Sequence, residues 1–426
     1  GVEEVMDKQI FAALELADYE VKLLVGEFFN TRFNIIKVER VAVAGIQQLE
    51  LVDADAMARA IRKAADNASR MIGARIERVL LCIPSRDMVR KSLKVTVPVS
   101  SFDRRVTVMD IRAAVHNAMQ TKIEKGLALI SAVCVRYTCN GIATRRMPLG
   151  ELCDELTVDV DLLCANQKIA FDYVSCVEKA GLKVLDISLD SFAIAKEAAL
   201  FEQTMDQNLI LIRLERQTTT LALLSRGKLA SCEVLDHGMD QWSRALAEKY
   251  ELPDREAIRL VKYNTRLNQK RPPQTPVYIW SKGGKSYTLS EKELSDAVRE
   301  PLGKWLSEVE MTCQPILQAS ATRVVISGEG GEIQEIAEAV SEFLKVDARV
   351  YYPETLGVRD SSLTACLGLF YAYKDQMDLQ QDSQMSIDPD QFEKAVSVGT
   401  MKKEKNSIDD SITKRLRELL FEAKQK

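Results

Sequence analysis

The chain has 426 residues, 46% of them apolar and 28% charged, and a formal net charge of −4. That length supplies two or three domain-sized cores, and the balance is that of a folded globular protein, not a fibrous or disordered one. The slight negative charge gives the whole molecule no bulk attraction for nucleic acid or anionic lipid. No nucleic-acid partner is expected, and any lipid affinity requires a local basic patch.

No stretch approaches the roughly 18 uninterrupted apolar residues of a membrane span, and no signal peptide precedes the first strand. Gly1 stands where an initiator Met is expected, so a leader lost upstream stays open. The nine cysteines are scattered, odd in number and without a CxxC pair. They read as reduced, mostly buried thiols of a cytoplasmic protein, with no metal site expected. His116 and His237 are the only histidines, which supplies His-dependent catalysis poorly.

One pattern occurs twice. Phe11–Leu16, Val21–Phe28 and Phe33–Ala44 read as strands separated by short polar turns. A helix follows over Ala54–Ile72, capped by Asp53 and stopped by Gly73, with Met57, Ile61, Ala64, Ala68 and Met71 on one face. The apolar strand Val79–Ile83 comes next. The second occurrence runs Leu209–Leu214, Thr218–Leu224 and Lys228–Leu235, then helical sequence, then the strand Arg323–Ile326. Such self-similarity predicts an internal duplication, two α/β halves with a ligand-accepting cleft between them.

Two insertions interrupt the halves. The first holds strands around a helix at Val108–Met119, and its Asn140-Gly141 step predicts a hairpin turn. The second is mostly helical, with a polar loop over Arg266 to Tyr287. After Tyr373 the pattern dissolves into a Gln-, Asp-, Ser- and Lys-rich linker. The expected division assigns 1–83 with 165–206 to the first half and 84–164 to its insertion. It assigns 207–235 with 319–373 to the second half, 236–318 to that half's outer helical subdomain, 374–406 to a flexible linker and 407–426 to a terminal amphipathic helix.

Several stretches, in order, resemble FtsA, the actin-like protein of bacterial division. Met147-Pro-Leu-Gly-Glu-Leu-Cys followed by Leu156–Cys164 is similar to that family's P-x-G-x-x-G-x-x-L turn and returning strand. The helix Lys168–Ala180 with Gly181-Leu-Lys-Val-Leu-Asp186 is similar to its A-V-E-x-x-G-L-x-V stretch. Arg255-Glu-Ala-Ile-Arg259 resembles A-E-x-I-K, Val325-Ile-Ser-Gly328 resembles V-x-T-G-G, and Thr364-Ala-Cys-Leu-Gly-Leu369 resembles the A-x-G-L helix. The resemblance implies an α/β, actin-like (ribonuclease-H-like, duplicated) two-lobed fold with the FtsA-type inserted subdomain and a C-terminal amphipathic helix.

The nucleotide pocket that this resemblance implies departs from the family's pattern. Glycines in its phosphate hairpins let backbone N–H groups approach phosphate. The first hairpin, D/E-I-G-T-x-K in the family, reads Glu15-Leu-Ala-Asp-Tyr-Glu20, with Ala17 for glycine and Asp18 and Glu20 for a hydroxyl and a cation. The second, D-x-G-G-G-T-x-D, reads Arg213-Leu-Glu-Arg-Gln-Thr-Thr-Thr220, with Arg213 for the first acid, Glu215, Arg216 and Gln217 for the three glycines, Thr218 at the motif's threonine and Thr220 for the final acid. Glu256 and Arg259 keep the adenosine-side pattern, and Gly328, Gly330 and Gly331 remain around Glu329. Like charges near 4 Å repel by about 4 kcal/mol at an effective dielectric of 20, so these acids oppose a triphosphate unless a metal intervenes. The degenerate ATP pocket is expected to hold no cofactor and to carry no catalytic residue, with ATP and Mg relevant only to a more competent pocket. The same charges also read as solvated turn residues on an ordinary sheet.

In the terminal segment, Ile408, Ile412, Leu416, Leu419, Leu420 and Ala423 share about a third of a helix circumference, and Lys414, Arg415, Arg417, Lys424 and Lys426 flank them. An apolar face with basic flanks after a linker predicts an in-plane membrane anchor; a helix docked on its own body or on a partner is the other reading. The resemblance implies a non-enzymatic scaffold that ties FtsZ filaments to the membrane and self-associates. It also implies a peripheral place on the cytoplasmic face of the membrane at the division site, and other division proteins as partners. The FtsZ C-terminal tail is then expected near Lys292, Arg299 and Lys304, which also read as exposed charges on a solvated helix. A working FtsA-type ATPase and a PilM-like pilus-assembly scaffold are the competing readings.

Overall fold

The computed structural model describes residues 8–29, 32–268, 270–354, 360–379 and 386. The chain divides into two units, residues 1–193 with 366–426, and residues 194–365.

The first unit opens with strands β1 (Gln9–Leu16), β2 (Glu20–Phe29) and β3 (Arg32–Ala42), the two-rung hairpin β4 (Ile46–Gln47) and β5 (Glu50–Leu51), helix α1 (Ala54–Ile72) and β6 (Arg78–Ile83). Helix α1 begins and ends where its sequence says it should. The Asp53 carboxylate accepts from the Ala56 N–H at 3.0 Å, and Gly73 closes the helix at φ +78°. Met71 does not join the buried stripe; it is exposed.

An insertion follows: β7 (Val89–Pro98), α2 (Val108–Met119), β8 (Leu127–Cys139), β9 (Ile142–Thr144) and β10 (Glu155–Asn166). Its four strands form their own sheet in the order β7-β10-β8-β9, and α2 packs Ile111, Ala114 and Ala118 into the core of this subdomain. Asn140 and Gly141 take φ +52° and +77° in the β8–β9 turn, the paired positive values a two-residue hairpin needs. Then α3 (Gln167–Lys179) and β11 (Lys183–Leu189) return to the first sheet, whose order is β11-β6-β1-β2-β3. Helix α4 (Asp190–Glu197) follows.

The second unit holds α5 (Leu200–Gln203), β12 (Asn208–Leu214), β13 (Thr219–Ser225), β14 (Lys228–Leu235), α6 (Met239–Tyr250), α7 (Asp254–Asn264), β15 (Pro276–Lys282), β16 (Lys285–Ser290) and α8 (Glu291–Ala319). It is completed by β17 (Thr322–Ser327), α9 (Ile336–Leu344) and β18 (Ala348–Val350). Its sheet has the order β14-β13-β12-β17-β18. The first sheet, read backwards, is the same: an antiparallel three-strand meander joined along its first strand to two parallel strands. The duplication expected from sequence is present strand for strand.

Two boundaries differ from the sequence reading. The stretch read as a polar loop, Arg266 to Tyr287, contains most of the β15–β16 hairpin, turned by Gly283 and Gly284 at φ +59° and +77°. Its aromatic side chains hold it: Tyr278 stacks on Trp280 at 5.6 Å, and Trp280 on Tyr287 at 5.5 Å. The last helix, α10 (Thr364–Met377), was assigned through residue 373 to the second half, yet from Cys366 onward it belongs to the first unit. The Phe370 ring lies 5.1 Å from that of Phe33, and Tyr373 meets Phe11 edge-on at 5.5 Å.

Gly368 fixes how closely α10 lies on its neighbour. A Cβ there would stand 1.8 Å from the Ala193 carbonyl oxygen, a backbone atom that cannot swing aside. Gly368→Ala is expected to destabilise the first unit by about 2–3 kcal/mol, the upper part of the overpacking range, seen as a lower urea midpoint with unchanged m-value.

Candidate functional site

The two core hairpins carry the residues that sequence singles out, and each is best described within its own unit. In the first, Ala17 donates its N–H to the Glu20 carbonyl at 2.9 Å, making a tight turn between β1 and β2. The strand register then sets Glu15 directly opposite Lys22. The Lys22 ammonium donates to the Glu15 carboxylate at 2.9 Å, and both side chains are almost fully buried. Glu20 pairs with Arg40 on β3 at 2.8 Å. Asp18 is buried at the turn.

Below this hairpin the Tyr173 phenol donates to the Leu49 carbonyl at 2.7 Å. Burial first, then the nearby Asp18 carboxylate, with Cys82, Glu15 and Asp190 behind it, pushes that phenol well above its ordinary range. It therefore stays a donor. Asp190 in turn accepts from the Ser85 hydroxyl and from the Ser191 N–H.

In the second unit the Glu215 N–H donates to the Thr218 carbonyl at 3.0 Å and closes the β12–β13 turn. Thr218 is buried there. The Glu215 carboxylate accepts from the Arg213 guanidinium at 3.1 Å and from the Glu329 backbone N–H at 3.3 Å. Glu329 opens the short 3-10 turn Glu329–Glu332 beside Gly328. An anion acceptor of this turn's backbone is thus a carboxylate of the chain itself. Arg216 pairs with Asp240 at 2.8 Å. The Lys262 ammonium lies 3.1 Å from Glu329; burial works against its charge, the adjacent carboxylate outweighs burial, and its pKa is raised. Glu256 and Arg259 form a two-point pair on α7, and the guanidinium lies over the Tyr278 ring.

His237, at the strand-to-helix turn, has a structural part. Its Nε2 accepts from the Trp242 indole N–H at 3.2 Å, so Nδ1 carries the proton and faces Glu308 at 3.3 Å. The Trp305 indole donates to the Thr219 hydroxyl, which donates to the His237 carbonyl. Among the described residues no cluster of three or more His, Cys, Asp or Glu is placed to hold a metal ion.

No protein-family model matches the chain. Curated relatives do. The cell division protein FtsA of Bacillus subtilis (strain 168) is 23% identical over 367 residues, covering 85% of this chain and 83% of that protein. The FtsA of Escherichia coli (strain K12) is 22% identical over 362 residues, covering 82% and 85%. The chain is FtsA-like. Solved structures agree on the fold at lower identity. A chain of the PilM–PilN type IV pilus biogenesis complex superposes with a TM-score of 0.57 at 15% identity, covering 84% of this chain and 97% of that one. MreB5 of Spiroplasma citri bound to ADP gives 0.50 at 12% identity, covering 87% and 97%. The fold is the mixed α/β actin-like one.

Within this FtsA-like body the remaining candidates fall apart spatially and by visibility. Lys292, Arg299 and Lys304 lie exposed on α8, where Asp296 pairs with the first two and Glu300 with the third. Such one-helix surface pairs contribute little. Ile408, Ile412, Lys414, Arg415, Leu416, Arg417, Leu419 and Leu420 lie outside the described residues. The residue that sequence reasoning missed is Lys22. Its signal was available: a tight turn at Ala17–Glu20 forces the positions flanking Leu16 and Val21 into register.

Removing one partner of a buried pair leaves the other charge uncompensated, at a cost of about 3–5 kcal/mol. Lys22→Met should lower the stability of the first unit by that amount. Glu15→Leu combined with Lys22→Met should recover most of the loss, and a urea-melt double-mutant cycle measures the difference.

Proposed function

We propose that the chain is a non-enzymatic, FtsA-like division scaffold that self-associates and holds FtsZ filaments at the cytoplasmic face of the membrane. The division role is supported by similarity to FtsA over most of the chain. The observation that carries the non-enzymatic part is the Glu215 carboxylate. It accepts from the Glu329 N–H beside Gly328 and is neutralised by Arg213, so a phosphate must displace a covalently attached anion and its cation. ATP–Mg²⁺ is therefore expected to bind more weakly than millimolar by calorimetry; a micromolar dissociation constant would overturn this reading of the pocket.

For self-association the insertion offers a surface. Phe102 is wholly exposed, and Ile142, Leu149 and Leu152 are exposed with it at one end of the sheet. Backbone bonds from Val106 to Glu151 and from Gly150 to Val106 bring two of the three segments together, and the Asn140 amide donates to the Leu152 carbonyl. Apolar groups at such a density mark a contact surface. On this reading, by resemblance to FtsA, the FtsZ tail binds α8 near Lys292, Arg299 and Lys304, and the β15–β16 hairpin leads into that helix. Charge reversal at all three positions is expected to reduce co-pelleting with FtsZ; unchanged co-pelleting would move the tail elsewhere. A PilM-like pilus scaffold rests on likeness of fold alone.

Membrane attachment is assigned to residues 407–426, with Ile408, Ile412, Leu416, Leu419 and Leu420 in the interface. Lys414, Arg415 and Arg417 at the head groups contribute about 1 kcal/mol each. Leu416→Glu places a carboxylate in the apolar face. It should abolish sedimentation with anionic liposomes while leaving the melting of the folded body unchanged; sedimentation equal to the unmodified chain refutes the tether.

A further inference from the structure

The sequence reading takes residues 374–406 as a flexible linker, yet Ser386 within it is fully buried. In the first sheet, β6 and β1 are neighbours in the order β11-β6-β1-β2-β3. Strands β1 and β6 are paired in parallel at Ala13–Leu80 and Leu14–Leu81. On the N-terminal side of those pairs, Ser386 stands between the two strands and bonds to both. Its N–H donates to the Ile10 carbonyl at 3.0 Å, and its carbonyl accepts from the Glu77 and Arg78 N–H groups at 2.7 and 3.1 Å. Its hydroxyl oxygen accepts from the Ala12 N–H at 2.7 Å.

We propose that the space between the N-terminal ends of β1 and β6 is a peptide-binding slot whose ligand is this chain's own C-terminal segment, seated by Ser386. The chemistry selects the occupant. Ile10 and Ala12 are buried, and buried backbone groups left unpaired cost about 1–3 kcal/mol each. An extended backbone supplies one donor and one acceptor, which serve Ile10 and the Glu77–Arg78 pair. The Ala12 N–H still requires an acceptor from the same residue, and a serine hydroxyl oxygen is short enough to provide it within the slot. Alanine and glycine offer no side-chain acceptor, and Ser386 is fully buried, so a long side chain would have to displace its surroundings. This is strand addition confined to a single residue, with the docked segment lying C-terminal to α10. The tether to any terminal helix therefore begins after Ser386 and not at the end of α10.

Hydrogen exchange on the full chain tests the slot amide by amide. In the unmodified protein the Ala12, Glu77 and Arg78 amides should be protected. Ser386→Ala removes only the hydroxyl, so Ala12 should exchange about tenfold faster or more, while Glu77 and Arg78 keep their protection. Ser386→Arg should expose all three and leave Leu14 and Leu81 protected, and a synthetic peptide spanning residues 380–392 should restore Glu77 and Arg78. Unchanged Ala12 exchange in Ser386→Ala overturns the proposal, even if Ser386→Arg proves too unstable to measure. So does an unmodified chain whose Glu77 and Arg78 amides exchange freely.

Discussion

A carboxylate stands at the turn end of each core hairpin, buried at Glu15 and half-buried at Glu215, and an ion removed from water must find its compensation nearby or shift its protonation. In the first unit Glu15 has Lys22 across the strand pair; in the second, Glu215, just past the end of β12, has Arg213 two residues back on that strand. In both cases the hairpin backbone sets the pairing, and the tight turn in turn depends on the charges being quenched. Electrostatics and turn geometry therefore support one another at the two places where an actin-like body would offer backbone N–H groups to a phosphate. These two pairs support the proposed scaffold reading.

The surviving glycines fit the same picture. Gly328, at φ +90°, would press a Cβ to 2.5 Å from both the Glu215 carboxylate and the Leu214 carbonyl. At Gly330 a Cβ would meet Leu214, and at Gly331 the Ser361 hydroxyl. Gly238 lies 2.5 Å from the Glu215 carbonyl on the same criterion, where α6 starts. These positions need glycine because the turn, the hairpin and the helix start are packed against each other. These glycines thus report on close packing within the second unit.

Much of this was legible in the sequence, for identifiable reasons. Helix α1 has a cap, a stop and a continuous apolar face, and all three agree. The two meanders were readable because each is three short apolar runs broken by polar turns. The β15–β16 hairpin was missed although Gly283-Gly284 is a hairpin signal, because the charged and proline-rich residues around it outweigh a stabilising interaction that is aromatic stacking between alternate positions. Lys22 was missed because a family motif directed attention to Glu20, while the pairing depends on register. Nothing local marks Ser386. Its partners are remote in sequence, Ala12 by 374 positions, and the surrounding composition is that of a linker. The FtsZ and membrane assignments draw on resemblance and helical periodicity, which no contact in the folded units reproduces.

The same remoteness sets an order on assembly. The second unit is one continuous stretch, residues 194–365, whereas the first needs residues from 366 onward to be complete. Phe33 and Phe11 lack the rings of Phe370 and Tyr373 until the end of the chain is available, and the β1–β6 gap lacks Ser386. Loop closure over such a separation is slow relative to local contacts, so the second unit can finish its core first while the N-terminal sheet waits. Until Ser386 is in place, the Ala12, Glu77 and Arg78 N–H groups at the N-terminal ends of β1 and β6 lack these acceptors, and unpaired strand N–H groups promote mispairing. Helix α10 and Ser386 are therefore part of the folding of the N-terminal sheet, and a change in either acts on that sheet.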